Sequence, residues 1–289
     1  MTLPDIYSAK AILQWFHDMG ADESIASHPT DWTTTPPPLD PVPEKPTNLS
    51  QIKKNIPIQA ADVAAIMGTP PASPAVNASL ASLIAQARRS ADSAQTLEQL
   101  ETAVRNFEGC ALKKMAKNTV FSDGNPNADI MLIGEAPGAE EDAQGIPFCG
   151  TSGKLLDAML ASIDLSRQQN VYITNTLFWR PPGNRTPSPD ELAICLPFVE
   201  RHIALFNPKI IILAGGTATK TLLDAKVGIT RLRGKPYHYK NQYLNNKVPL
   251  RALFHPSYLL RQPAQKSLAW SDLQEIAHTI SQIPSLKLN

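Results

Sequence analysis

The chain has 289 residues, 43% of them hydrophobic, so it can bury one good core and still carry an appendage. Its formal net charge of +1 conceals an asymmetry: residues 1–109 hold 7 Lys and Arg against 12 Asp and Glu, whereas residues 110–289 hold 20 against 14. Three cysteines, Cys110, Cys149 and Cys195, are too few for the disulfide framework of a secreted domain, and no apolar run approaches the roughly 18 residues of a membrane span. The N-terminal "MTLPDIYSAK" has neither signal-peptide nor transit-peptide character. The expectation is a soluble cytoplasmic protein whose basic C-terminal part suits a polyanionic partner.

In chain order, Ile12, Leu13, Trp15, Phe16 and Met19 fall on helical spacing before Gly20, which predicts a short amphipathic helix over about 6–20. From His28 to about Pro57 the chain is rich in Pro and Thr ("TTTPPPLDPVPEKP"), and "GTPPASPAVNAS" follows; such segments bury too little apolar surface to offset ordering entropy and read as a linker. A helical pattern resumes from Leu80 to Phe107, with a break near Ala94, Gln95 and Thr96. Beyond it, "ADIMLIGE", "NVYITN", "PKIIILAGG" and "VPLRALFH" are short β-rich runs, separated or followed by helical stretches at about 151–163, 189–205, 217–225 and 266–283. Ser188, Pro189 and Glu191 form a capping box at the start of the second of these helices, and Pro197 is expected to kink or interrupt it.

Strands alternating with helices imply a three-layer α/β/α domain around a central four-stranded, mainly parallel sheet. A helical and Pro-rich extension (1–85) then precedes a catalytic or binding domain (86–289). Glu135, Asn175 and His255 close three of the strands, and the carboxyl ends of such strands form the binding crevice of open α/β sheets. The loops leaving them are unusual. "GEAPGAEEDAQGIPFCG" is rich in carboxylates and matches neither GxGxxG nor the Walker pattern, "TNTLFWRPPGNRTPSPDE" sets Arg180, Asn184 and Arg185 on a stiff Pro-Pro-Gly turn, and "HPSYLLRQP" follows His255 with Tyr258, Leu259, Leu260 and Arg261.

These segments, with "GTSGKLLDAML" and "RLRGKP" and in this order, resemble the uracil-DNA glycosylases, closest to the family 4, thermophile-type branch of that superfamily, over about residues 107–283. The resemblance implies excision of uracil from DNA by hydrolysis of the N-glycosidic bond in base-excision repair, with uracil-containing DNA as partner. A flipped uracil would stack on Phe148 and be read by the Asn175 amide, with Ala136 and Asn184 lining the same pocket. His255 would donate to uracil O2 as charge develops there, and Glu135, supported by Glu141, would orient or activate water or stabilise the cationic sugar. Arg180, Arg185, Tyr258 and Arg261 are expected on DNA, with Leu259 as an apolar wedge. An alternative reading keeps the fold and DNA binding without turnover, the acidic extension recruiting a protein partner.

The resemblance also implies an iron–sulfur cluster held by four cysteines. Cys110 and Cys195 occupy the first and fourth of those positions, but Lys113 and Trp179 occupy the others, so no cluster, no other metal and no cofactor are expected. Trp179 is expected to fill the space instead, with the Lys113 stem laid along its ring. Cys149, beside Phe148, reads as a packed thiol. "WRPPGNRTP" lacks the inserted histidine with which a related branch traps the sugar covalently.

Overall fold

A computed structural model describes residues 74–284 and 286, with side chains from Ser79 onward. The expected helix at 6–20 and the Pro-rich stretch up to residue 73 lie outside the described residues, whereas residues 74–79, read as the end of the linker, are the first turns of a helix that begins at Pro74 and not at Leu80. Four apolar runs form the parallel centre of the sheet. After a two-residue edge strand, β1 (Asp123–Gly124), come β2 (Ile130–Gly134), β3 (Val171–Asn175) and β4 (Ile210–Ala214); β5 (Tyr237–Tyr239) is a second edge strand and β6 (Val248–Leu253) completes the set. The order is β1-β3-β2-β4-β6-β5, with β3, β2, β4 and β6 mutually parallel and the two edge strands antiparallel to their neighbours. The four expected strands are therefore the parallel core of a six-stranded sheet. The short edge strands carry too little apolar pattern to be read from sequence.

Every residue of β2, β3 and β4 is buried, as parallel strands covered on both faces must be. Alternate residues divide between two cores. Met131, Ile133, Tyr172, Ile211 and Leu213 face one layer, and Ile130, Leu132, Val171, Ile173, Ile210 and Ile212 face the other. The first layer is made by α1 (Pro74–Ser93), α2 (Leu97–Asn106) and the later α5 (Pro189–Phe206), through Ala87, Ala91, Leu100, Val104, Phe198 and Ile203. The second is made by α4 (Thr151–Ala161), which follows the short α3 (Ala139–Gln144), and by the last helix, α9 (Lys266–Ser281), through Leu156, Met159, Leu273 and Ile276.

The break expected near residues 94–96 is present: α1 ends at Ser93, and Thr96 caps α2 by accepting from Gln99 N. The division placed at residue 85 falls inside α1, a continuous helix whose buried Ala87 and Ala91 lie in the same core as β2. Arg201 ties its end down by donating to Ala94 O at 3.0 and 2.6 Å. The capping box at Ser188 is formed, but the interruption at Pro197 is not: α5 runs on to Phe206. One lost N–H is outweighed by the packing of its buried residues, Pro197 among them.

Candidate active site

The site is built where the parallel strands end. Gly134 pairs with Asn175, and beyond this pair the two loops stay joined: Thr176 N donates to Gly134 O at 2.9 Å, and Leu177 N and Thr176 Oγ1 donate to Glu135 O at 3.1 and 2.6 Å. A Cβ on Gly134 would stand 2.4 Å from both Asn175 Oδ1 and Phe148 Cζ. Only a glycine lets the ring and the amide close over the strand end. Past β6, His255 begins the short α8 (Pro256–Arg261), α6 (Gly216–Leu223) and α7 (Ile229–Leu232) having come before it, and its ring stacks 5.5 Å from that of Phe148 at 27°.

These groups line a cavity of about 710 Å³ that also takes in Glu135, Ala136, Glu141, Asn184, Arg185, Tyr258 and Arg261. Its electrostatics are set by what each group has already bonded. Asn175 is 2% exposed and its Oδ1 has no hydrogen-bond partner. A buried acceptor left unpaired costs about 1–3 kcal/mol, so the position is poised for a donor that enters the cavity. At His255, Nδ1 accepts from Ser257 N at 3.2 Å and stands 2.8 Å from Ser257 Oγ, which fixes the hydrogen on Nε2. Burial, with repulsion from Arg261 added, lowers its pKa to about 4. At neutral pH the imidazole is therefore uncharged with Nε2–H as its donor.

Glu141 has another task than the one expected of it. Oε2 accepts from Gly138 N at 3.0 Å and Oε1 from Gly150 N at 3.1 Å, so the carboxylate closes the loop around α3 and starts α4. That leaves Glu135 as the carboxylate at the strand end. Leu259 is not the exposed wedge expected of it: it is 0% exposed in the core beneath α4, whereas Leu260, one residue on, is 43% exposed. Successive residues of a helix point about 100° apart, and the tertiary core chose Leu259. The arginines are partly engaged within the protein. Arg185 makes a two-pronged pair with Glu191 at 2.6 and 2.9 Å, and Arg180, itself outside the cavity lining, donates from Nε to Oδ1 of the lining residue Asn184 at 2.7 Å. Ser257, Ile229 and Thr230 line the cavity without having been singled out. Of these, Ser257 was legible as the residue two after a His-Pro N-cap.

The four positions of the implied cluster do not fit one. Trp179 is wholly buried, edge-on to Phe178 at 6.0 Å, and its indole Nε1 donates to Thr119 Oγ1 at 3.0 Å. The Lys113 ammonium is paired with Glu108. Cys110 and Cys195 are buried together, and the hydrogen bond to Cys110 together with burial raises the Cys195 thiol well above its usual range. Among the described residues no three His, Cys, Asp or Glu side chains are grouped to hold a metal ion. Cys149 is half-buried, and burial raises its thiol pKa.

The family model of the Uracil DNA glycosylase superfamily matches residues 121–274. The chain is 37% identical over 186 residues to the type-4 uracil-DNA glycosylase of Sulfurisphaera tokodaii, covering 63% of this chain and 83% of that protein. It is 37% identical over 186 residues to that of Archaeoglobus fulgidus (63% and 92%) and 39% identical over 168 residues to that of Thermotoga maritima (58% and 84%). A parallel sheet that gathers Glu135, Phe148, Asn175 and His255 around one cavity, and a family match that spans all four residues, place this chain in the uracil-DNA glycosylase superfamily, on its type-4-like branch.

Proposed function

We propose that the protein hydrolyses the N-glycosidic bond of deoxyuridine in DNA, releasing uracil for base-excision repair. The observation that carries this reading is the unpaired, buried Asn175 Oδ1 beneath the Phe148 ring. A uracil stacked on Phe148 presents N3–H as the missing donor and O4 as an acceptor for the other half of the amide. Cytosine presents the reverse at both atoms and leaves buried groups unpaired. The relatives' type-4 uracil-DNA glycosylase names support the same substrate.

In the reaction, the C1′–N1 bond breaks and its electron pair leaves on the base, delocalised onto O2. The neutral His255 donates Nε2–H there, where a donor already aimed at the developing charge needs no reorganisation. The oxygen of a water bonds to C1′ and its proton passes to Glu135, which also faces the cationic sugar; Glu141 keeps the loop closed around them. Leu260 supplies the exposed apolar tip and Arg261 the cation beside the cavity mouth. We also infer that the chain works without an iron–sulfur cluster, a reading supported by the indole, the ammonium and the paired thiols at the four positions.

The test is alkaline strand cleavage of a uracil-containing oligonucleotide after incubation with the full-length protein, beside an Asn175→Asp variant. Cleavage at uracil by the parent and a lowered uracil-to-cytosine ratio in the variant are expected. A parent that binds the oligonucleotide and leaves no alkali-labile site would favour a binding protein that has kept the fold.

A further inference from the structure

Phe148 holds its ring over Gly134 with a backbone that such a residue seldom adopts: φ is +51°, in the left-handed region. This conformation turns the Phe148 carbonyl inward. A Cβ on Gly153, in the first turn of α4, would lie 1.8 Å from that oxygen, so the carbonyl is pressed against the helix backbone, where water has no room. The carbonyl is satisfied by a guanidinium. Arg167 Nη2 donates to Phe148 O at 2.8 Å and Nη1 to Pro147 O at 3.1 Å.

Arg167 lies in the connection from α4 to β3, only 8% exposed, and is itself fixed from two other elements: Nη1 pairs with Asp123 of β1 at 2.7 Å and Nε with Asp157 of α4 at 2.9 Å. The loop is thus held at both of its chemistries. Glu141, an acceptor, takes the N–H groups of Gly138 and Gly150, while Arg167, a donor, takes the C=O groups of Pro147 and Phe148. A lysine could neutralise one carboxylate there but could not span two carboxylates and two carbonyls, since the planar fork is what fits all four.

We infer that Arg167 is a positioning residue for the base-stacking platform: by holding the Phe148 and Pro147 carbonyls it keeps the Phe148 ring parallel to the base, and so acts on uracil recognition and on the rate through that ring. This rests on the assignment of Phe148 as the stacking residue. Displacing a positioning group by about 1 Å costs on the order of 10²-fold in other enzymes, and a carbonyl that loses its partner has no other donor to hold the left-handed backbone in place.

The experiment is a double-mutant cycle in the full-length protein with Arg167→Lys and Phe148→Ala, reading the single-turnover rate and the inhibition constant of free uracil well below the melting temperature. Arg167→Lys alone should lower the rate about 10- to 100-fold and weaken inhibition by uracil in step. Binding to an abasic-site duplex, which has no base to stack, should stay within about twofold. In the Phe148→Ala background the same change should alter neither reading by more than about twofold. Asp157→Asn, which removes only a half-exposed partner of Arg167, should give a milder loss of the same kind, about threefold, and stands in for Arg167→Lys if that variant does not fold. An equal loss from Arg167→Lys in both backgrounds, or no loss with Phe148→Ala impaired, overturns the inference alone. A Phe148→Ala protein inhibited by uracil like the parent removes the stacking assignment, and the inference falls with it.

Discussion

The neutral state of His255 follows from its burial and from repulsion by Arg261, and its tautomer from Ser257. Ser257 N, at the first turn of α8, directs a donor at Nδ1, and burial among Phe148 and the strand ends keeps the proton off it down to about pH 4. A histidine with a lowered pKa stays uncharged through the whole range from neutrality to that value, so its donor does not change between about pH 5 and 8. His255→Ala should lower the single-turnover rate by about 10²–10³, the loss found when one donor to a developing anion is removed elsewhere. The variant should also keep the shape of the parent's pH–rate profile between pH 5 and 8. A loss that grows or vanishes with pH in that range would mean that His255 titrates there and acts as a charged group. Leu259 and Leu260 teach the same lesson in apolar terms, because two identical residues differ only in which way the helix turns them.

At the scale of elements, the segment from Phe107 to Lys114 is joined to α5 and to the turn after β3 by apolar packing and by the hydrogen bond between Cys110 and Cys195. Phe107 stands edge-on to Phe198 at 5.1 Å, Trp179 fills the space behind Phe178, and Cys110 lies against Cys195. Removing a buried tryptophan leaves a cavity that costs about 3–5 kcal/mol. Trp179→Ala should therefore lower the melting temperature by several degrees and lower the rate per folded molecule far less, because the residue lies in the core shared with α1, α2 and α5 and not in the cavity lining. Protein prepared without oxygen should carry no stoichiometric iron. Iron at four atoms per chain, or a Trp179 variant with unchanged stability and weakened DNA binding, would contradict this account.

At the scale of the whole molecule, α1 belongs to the packed body. Ala87, Ala91 and Ala94 are buried, Arg88 pairs with Glu200, and the guanidinium groups of Arg88 and Arg201 lie 5.9 and 5.2 Å from the Tyr243 ring centre. Removing residues 1–73 should leave the melting temperature unchanged and the rate on uracil DNA within about twofold, and raise the affinity at low salt because that segment is acidic. Removing residues 1–95 should destabilise the protein severely, since it strips a helix from one face of the sheet. Thermal melts and oligonucleotide cleavage with both truncations check this. A 1–73 deletion that fails to fold would place part of the core in that segment.

The sequence by itself determined the layered fold, because four apolar runs covered on both sides have few arrangements other than a parallel sheet, and a sheet of that kind puts Glu135, Asn175 and His255 at one edge. It determined helix starts where local chemistry suffices, as at Thr96 and Ser188. Only the tertiary structure decided which of Leu259 and Leu260 is buried, that Glu141 serves the loop backbone, that Pro197 is carried within a helix, and that Arg167 stands behind Phe148. Each of these depends on packing against residues far along the chain or on a backbone N–H or carbonyl with no side-chain signature, and spacing in sequence carries little information about either.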